Sequence, residues 1–272
     1  MSLLALDENG FDADQCRAAG AGLHASYIHA EPFPHVVIDD LIDPGELRAL
    51  LPAFPDMSGR RFFDRHQERL KYQLAPGEVS DPGLRSLLEA LNGREFIGFL
   101  ETLTGIEGLS PDPDYLGGGL HETRCGGHLS IHADFNLHPR MRLERRLNLL
   151  IYLNDDWDPS WGGDLELWDR EMTACRVKVA PVLGRAVIFN TDADSYHGHP
   201  EPLACPPDRA RRSIATYYYS NPRAEGAERT TRFQIRPGSD DRPDREVAFD
   251  HWVQDWVPAR LQRHVRRLNP FR

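Results

Sequence analysis

The sequence predicts a mainly β fold with flanking helices, of the α+β class, built around one β sandwich or barrel. The first observation is a run of short alternating segments between residues 111 and 222, separated by Gly and Pro. Several short strands at this spacing are typical of sandwiches and barrels. The second is helical spacing of apolar residues on both sides of that region. The clearest strand segments are residues 128–134, 147–153, 165–168, 177–179, 186–189 and 213–219.

The region before residue 111 predicts helices and one leading strand. Residues 32–40 (PFPHVVIDD) predict a short strand that is entered through prolines. Residues 43–46 (DPGE) predict a helix start with Asp43 as the N-cap. Residues 81–103 carry apolar side chains at helical spacing, with a break expected near residue 92. These elements are expected to pack against the β core.

Three parts of the chain follow from this pattern. We expect an N-terminal helical segment with its leading strand over residues 1–110, a β core over 111–235 and a C-terminal helical tail over 236–272. Within the tail, residues 238–245 (GSDDRPDR) are expected to form a linker before the helix. A chain of 272 residues is long enough to bury a sizeable core, and one domain with terminal additions is the expected organisation.

Composition excludes several classes of protein. No stretch of about 18 apolar residues is present, so no membrane span is expected. The formal net charge of −10 disfavours binding to nucleic acid phosphates. Four scattered cysteines without a CxxC pair favour free thiols over disulfides or a structural zinc site, and the expected compartment is the cytoplasm.

The chemistry is expected at His132 and Asp134, which are two residues apart on a predicted strand. Side chains at that spacing point to the same face, so one strand can direct an imidazole and a carboxylate to one point. A third ligand has to come from elsewhere in the chain. The segment 196–199 (YHGH) offers His197 or His199, after the predicted strand at 186–189.

Two histidines and one carboxylate form the facial triad that is typical of non-haem iron(II) oxygenases. Three ligands on one face of an octahedral ion leave three open positions, enough for a chelating cosubstrate and dioxygen. An HxD pair alone is a weak signal, because it occurs by chance in many chains. The prediction of an iron site therefore depends on what accompanies the pair.

A basic residue accompanies it on a predicted strand after the distal histidine. Residues 211–219 (RRSIATYYY) begin with Arg211 and Arg212, of which strand alternation lets only one point inward. A guanidinium in a fixed orientation suits two-point capture of a carboxylate, such as the far carboxylate of 2-oxoglutarate.

Residues 132–219 resemble the 2-oxoglutarate- and iron(II)-dependent oxygenases of the prolyl-hydroxylase type, including the bacterial branch. The resemblance rests on HADF (132–135), IYLNDDWDPSWGGDLELWD (151–169), SYHGHP (195–200) and RRSIATYYY (211–219). It implies a double-stranded β-helix, which is a jelly-roll barrel. It also implies iron(II), 2-oxoglutarate and dioxygen as cofactors, and hydroxylation of an unactivated C–H bond with release of succinate and carbon dioxide.

The resemblance also assigns roles to residues. His132, Asp134 and His197 match the iron ligands, which favours His197 over His199, and Arg212 matches the residue that pairs with the far carboxylate of 2-oxoglutarate. Tyr152 matches a tyrosine that contacts the same carboxylate. Two further positions carry expectations: Asn148, on the strand face of Tyr152, is expected to line the pocket, and Thr123 stands where many relatives have a tyrosine. Halogenases of the family have a small residue at the position of Asp134, so its carboxylate indicates hydroxylation.

The sequence is compatible with two alternative functions and suggests one class of substrate. A cupin-like metalloprotein that uses no 2-oxoglutarate would have a similar barrel, and so would a non-catalytic binding module. The expected partner is a small-molecule or peptidyl substrate, including an anionic one. The cluster of Arg140, Arg142, Arg145 and Arg146 is interpreted either as a solvated loop or as a rim that attracts such an anion.

Overall fold

The computed structural model describes residues 2–8, 10–223 and 228–270. Its helices are α1 (Ala13–Ile28), α2 (Pro44–Leu50), α3 (Pro82–Leu91), α4 (Arg94–Thr104), α5 (Arg245–Trp256) and α6 (Ala259–Arg266). Its strands are β1 (Leu6–Asp7), β2 (Gly10–Phe11), β3 (His35–Ile38), β4 (Arg61–Phe63), β5 (Glu68–Leu74), β6 (Ser110–Pro111), β7 (Gly119–Ala133), β8 (Glu144–Tyr152), β9 (Leu165–Trp168), β10 (Cys175–Val179), β11 (Ala186–Asn190), β12 (His197–His199), β13 (Ala210–Ser220) and β14 (Arg232–Phe233).

Twelve of these strands form one antiparallel sheet that curls into a nearly closed barrel. The strand order is β10-β9-β12-β7-β13-β8-β11-β3, and β5 and β14 also pair with β7. The hairpin of β4 and β5 extends the sheet, and β6 pairs with β13. The predicted mainly β fold with flanking helices and a double-stranded β-helix core is therefore confirmed.

The long strand β7 joins the two halves of the barrel. Its first half pairs with β13 and its second half with β12, and the change of partner falls at Gly126 and Gly127. Gly126 has φ +79°, a left-handed conformation that favours glycine. A side chain at Gly127 would lie 2.6 Å from the carbonyl oxygen of Arg69, so only glycine fits there. These two glycines let one strand bend across both sheets.

The largest hydrophobic core lies between the helices and the outer face of β8, β11 and β13. Alternation along β8 sends Leu147, Leu149 and Ile151 into this core, and Ile214 and Tyr218 of β13 join them. From the helical side, the core receives Leu84, Leu87, Leu88 and Leu91 of α3, and Phe96, Phe99, Leu100 and Leu103 of α4. The residues between these on β8 and β13 therefore face the barrel interior.

Several predicted elements are confirmed in detail. Asp43 caps α2, because its Oδ1 accepts hydrogen bonds from the backbone N–H groups of Gly45 and Glu46. The expected break near residue 92 separates α3 from α4. The predicted tail helix is divided into α5 and α6, and none of the helices within the described ranges combines the length and apolar character of a membrane span.

The sequence patterns missed the hairpin of β4 and β5. Its residues alternate poorly, since charged side chains occupy most positions of the segment 60–71. The strand β5 nevertheless pairs along β7, with a register shift between Arg69 and Lys71. Residues from the predicted N-terminal segment thus belong to the same sheet as the β core.

Candidate active site

Three of the predicted site residues lie together at one end of β7. His132 is on β7, Asp134 follows its last residue, and His197 opens β12 directly opposite His132. The Nε2 atom of His132 lies 3.5 Å from Oδ1 of Asp134, and Nε2 of His197 lies 3.5 Å from Oδ2. All three residues are buried, at 4–7% exposure. Strand pairing therefore brings the distal histidine of the sequence to the HxD pair.

The two imidazole rings are oriented for metal binding. Nδ1 of His132 lies 2.9 Å from the carbonyl oxygen of Ser130, and Nδ1 of His197 lies 3.0 Å from that of Ser195. Each Nδ1–H therefore donates to a carbonyl, which leaves the lone pair of Nε2 free for a metal. The candidate ligand atoms lie within 4.8 Å of one another. Metal–ligand bonds of about 2 Å place neighbouring ligands about 3 Å apart, so this donor set fits a divalent ion after a small contraction.

Aromatic rings surround the two histidines. The ring centroid of Phe189 lies 4.6 Å from that of His197, and the ring of Phe233 lies 5.4 Å from that of His132. Burial, together with the nearby His132, lowers the pKa of His197 to about 4. His197 is therefore neutral at physiological pH, which is the state that a metal ligand requires.

Asp134 forms a buried ion pair with Arg145. An Nη2 nitrogen of Arg145 lies 2.9 Å from Oδ2 of Asp134, and Arg145 is 1% exposed. Burial alone would raise the pKa of Asp134, but Arg145, His197 and His132 hold it far below the usual range. The guanidinium also stacks 3.5 Å from the ring centroid of Tyr217. Asp134 is thus held in its charged form.

The inward position of Arg145 was not predicted from the sequence. Arg145 lies two residues before Leu147, which faces the helices, so regular strand alternation would direct Arg145 to the helices as well. A register shift between Tyr218 and Tyr219 of β13 skips Arg146 and pairs Tyr219 with Arg145. This bulge reverses the phase and turns Arg145 into the barrel. The sequence interpretation of Arg145 as a loop residue was therefore wrong.

The prediction that Arg212 faces the pocket is also wrong, because Arg211 occupies that position. Arg211 is 5% exposed and lines the cavity of about 260 Å³ that contains the triad. Arg212 points to the other face, where its Nε donates to Glu122 at 3.0 Å and its guanidinium lies over the ring of Phe54. Arg212 has the same phase as Ile214, which is in the helix-facing core, so strand alternation decides the matter.

Arg211 is a buried cation without a carboxylate partner among the described residues. Its Nε donates to the carbonyl of Gly163 at 2.7 Å, and its Nη2 donates to the hydroxyl of Tyr152 at 3.3 Å. Burial lowers its pKa, an effect opposed by Tyr152. Gly163 has φ +80°, and a side chain there would meet Leu203 at 2.6 Å and Arg211 at 3.1 Å. The glycine makes room for the guanidinium.

The remaining predicted pocket residues lie around Arg211 and the triad. Asn148 and Thr123 line the cavity, and Oδ1 of Asn148 is buried without a hydrogen-bond partner. Tyr152 is fully buried, and its hydroxyl accepts a hydrogen bond from Arg211, the neighbour of the predicted Arg212. His199 also lines the cavity, but the group that could hold a metal contains His197.

The other arginines of the predicted rim lie outside this cavity. Arg140 pairs with Asp114 at 2.8 Å on the surface, and Arg142 pairs with Glu228 at 2.9 Å. Arg146 donates to the hydroxyl of Ser220. The loop between β7 and β8 therefore presents largely neutralised charges.

A second acidic cluster does not have the chemistry of a metal site. Asp112, Asp114 and His138 lie close together. Nδ1 of His138 accepts hydrogen bonds from the backbone N–H groups of Arg140 and Met141, so the neutral ring carries its proton on Nε2. That nitrogen faces Asp112 and has no lone pair for a metal. The cluster instead fixes the local backbone.

Comparisons with known proteins agree with this site. Residues 118–219 match the family model of the 2OG-Fe(II) oxygenase superfamily. No curated protein matches the sequence significantly. Among solved structures, a Pseudomonas putida prolyl-4-hydroxylase is similar with TM-score 0.54 and 18% identity, over 75% of this chain and 99% of that one. A Trichoplax adhaerens prolyl hydroxylase, in complex with a peptide of hypoxia inducible factor, has TM-score 0.54 and 16% identity, over 76% and 91%.

The matched region contains every residue of the candidate metal group and both Arg211 and Tyr152. The expectation of an oxygenase that uses iron(II), 2-oxoglutarate and dioxygen is confirmed. The comparisons give no support to the alternative of a non-catalytic binding module. Residues 118–219 of this chain thus resemble the 2OG-Fe(II) oxygenase superfamily, and its fold is similar to that of a prolyl-4-hydroxylase.

Proposed function

We propose that this protein hydroxylates an unactivated C–H bond of a small molecule or peptidyl residue and releases succinate and carbon dioxide from 2-oxoglutarate. In this proposal, His132, Asp134 and His197 hold iron(II). The bound iron supplies the activation of dioxygen, and the protein supplies orientation, charge and exclusion of water. Three protein ligands leave room for the cosubstrate to chelate the metal.

The proposal rests mainly on the buried guanidinium of Arg211. A buried cation without a carboxylate partner is costly unless a ligand supplies the counter-charge. Arg211 lines the same cavity as the triad, and Tyr152 adds a hydroxyl beside it. The far carboxylate of 2-oxoglutarate would accept hydrogen bonds from both groups while its keto-acid end faces the triad. A molecule with an anionic group at each end therefore matches the arrangement of the triad and Arg211.

The side chains around the triad support oxidation rather than simple metal storage. Phe189 and Phe233 cover the two histidines and limit the access of water. Arg145 keeps Asp134 ionised and engages one of its oxygens. Since Asp134 provides a carboxylate where halogenases of the family have a small residue, hydroxylation is the favoured outcome.

A cupin-like reaction without 2-oxoglutarate is the less favoured alternative. It would leave Arg211 buried without an assigned anion. The two readings differ in one measurable property, which is whether 2-oxoglutarate is consumed.

The experiment is to incubate iron(II)-loaded protein with 2-oxoglutarate in air and to measure succinate release, with and without a panel of candidate substrates. We expect iron-dependent succinate that rises when a substrate is present, and loss of this activity in Asp134→Ala. The control variant is Asp14→Ala, whose carboxylate is 91% exposed on α1 and should leave turnover unchanged. Folded protein that binds metal but never produces succinate would contradict the proposal.

A further inference from the structure

The cavity that holds the triad continues outward into a second one. The outer cavity, of about 530 Å³, shares Arg61, Gly117, Phe135 and Thr231 with the inner one. Its far wall is formed by the segment after the barrel, at residues 228–231. A substrate that reaches Asp134 through this side passes between β4 and that segment. We call the outer cavity the mouth of the site.

Two arginines of the mouth have no carboxylate partner among the residues that the structure describes. Nε and Nη2 of Arg229 are buried without a hydrogen-bond partner, and the backbone N–H of Arg229 donates to Asn136. Arg61, on β4, lies 4.9 Å from the ring centroid of Phe63. Within the described ranges of the chain, no carboxylate lies at ion-pair distance from either guanidinium. Both charges are therefore available to a ligand.

The carboxylate that lines the mouth does not neutralise them. Glu228 is engaged by Arg142 at 2.9 Å, on the surface side. The chain as a whole carries a formal net charge of −10. Arg140 and Arg142 are paired with Asp114 and Glu228, whereas no carboxylate of the described residues pairs with Arg61 or Arg229. The mouth is therefore a local anion-binding environment in an acidic protein.

The inner cavity, which contains the triad, is also lined by polar groups. Gln67, Gln73 and Ser213 line it, together with the Lys71–Glu68 ion pair at 2.9 Å. Such walls suit a polar molecule that carries amide or hydroxyl groups. Cavities of about 260 and 530 Å³ are in the range of small-molecule sites.

We propose that Arg61 and Arg229 bind an oxyanion, a carboxylate or a phosphate, of a small polar substrate. This inference rests on the proposed function and names its substrate class. The anionic group occupies the mouth, and the remainder of the molecule extends past Gly117 and Phe135 to the triad. The group that recognises the anion is thus formed by β4 and the segment after the barrel, and the loop arginines Arg140 and Arg142 take no part in it.

The experiment uses full-length protein loaded with iron(II) and 2-oxoglutarate under anaerobic conditions. Binding is measured by calorimetry for two matched pairs of probes: glucose 6-phosphate against glucose, and the α-amide of N-acetylglutamate against the α-amide of N-acetylglutamine. We expect at least one acidic probe to bind about ten-fold or more tightly than its neutral partner, which also tells phosphate from carboxylate. Arg61→Ala and Arg229→Ala should each remove about ten-fold of that preference.

Arg140→Ala is the matched control, because it removes an exposed arginine that is paired with Asp114 outside the cavity. It should leave the preference unchanged. Absence of any preference for the acidic probes, or equal loss in Arg140→Ala, would overturn the inference. The visible band formed by iron(II) and 2-oxoglutarate is recorded in every variant. If wild-type protein forms the band but shows no acid preference, only this inference fails. If the band does not form, the proposed function fails.

Discussion

Arg145 and Asp134 form an ion pair inside the barrel, with 2.9 Å between Nη2 and Oδ2. The arginine is inaccessible to solvent, so the carboxylate has a fixed counter-charge even before any metal binds. A buried pair of this kind adds little net stability, but removing one partner exposes the full cost of the other. The pair therefore links folding of the barrel to the charge state of the candidate metal ligand.

Replacing Arg145 by Met should destabilise the metal-free protein by about 3–5 kcal/mol, because Asp134 loses its counter-charge. A divalent ion would supply that charge, so the stabilisation by Mn(II) should be larger in Arg145→Met than in the wild type. Urea unfolding with and without Mn(II) measures both effects. Arg48→Met, which breaks an exposed pair with Asp155, should cost at most about 1 kcal/mol and leave the metal effect unchanged. Equal metal stabilisation in all three proteins would contradict this account.

Arg211 and Arg212 provide a matched pair of substitutions. Arg211→Ala should weaken 2-oxoglutarate binding about 100-fold, because it removes charge-assisted hydrogen bonds to the far carboxylate. Arg212→Ala should change it by less than about three-fold, since Arg212 pairs with Glu122 on the other face. Anaerobic titration calorimetry measures both affinities. The reverse order of effects would restore the choice of Arg212 made from the sequence.

Gly198 lies between the two histidines of β12, where neighbouring backbone comes close. A side chain there would lie 2.7 Å from the carbonyl oxygen of Leu129 and 2.8 Å from that of Ser130. Gly198→Ala should push β12 away from β7, lower the melting temperature and weaken metal binding through His197. Gly22→Ala on α1 is the control, because a side chain there meets no atom within 4 Å and alanine favours helix. Normal metal affinity in Gly198→Ala would show that β12 tolerates displacement.

Asp169 should make the free energy of unfolding depend on pH in the acidic range. Its carboxylate accepts hydrogen bonds from Thr173, Ala174 and Arg176, and the bonds from Thr173 do most to lower its pKa to about 2. The unfolded pKa is about 3.9. Because the folded pKa is depressed, the contribution is complete above pH 4 and is lost as the pH falls towards 2.

The variant Asp169→Asn lacks this titration. It should be less stable than the wild type at pH 6, and the difference in melting temperature should shrink between about pH 4 and pH 2. Thermal unfolding across that range measures it, with Asp208→Asn, on the exposed loop before β13, as the control. A difference that stays constant with pH would assign the effect to lost packing instead.

Much of the fold was predictable, because its signals are local. The strand β9 occupies residues 165–168 as predicted, and α2 begins after its predicted cap. The hairpin of β4 and β5 was not predictable, since its strands are charged and gain their stability by pairing with β7. A pattern of alternation cannot reveal a strand whose two faces are both polar.

The metal group was predicted because HxD spacing and strand geometry act over two residues. The choice between Arg211 and Arg212 depended on which face of β13 meets the helices, and both faces of that strand are apolar. Ile214 and Tyr218 enter one core while Tyr217 and Tyr219 enter another. The inward position of Arg145 was not predictable, because it depends on a bulge. A bulge is a property of the paired strands rather than of one segment.

The central claim is that the triad and Arg211 hold iron(II) and 2-oxoglutarate in one cavity. The most direct measurement is an anaerobic titration of wild-type protein with both, followed by visible absorption. We expect a weak charge-transfer band in the wild type and in Arg212→Ala, and no band in Asp134→Ala. Arg211→Ala should show the band only at a much higher concentration of 2-oxoglutarate. Folded wild-type protein without a band, or an unchanged band in Asp134→Ala, would contradict it.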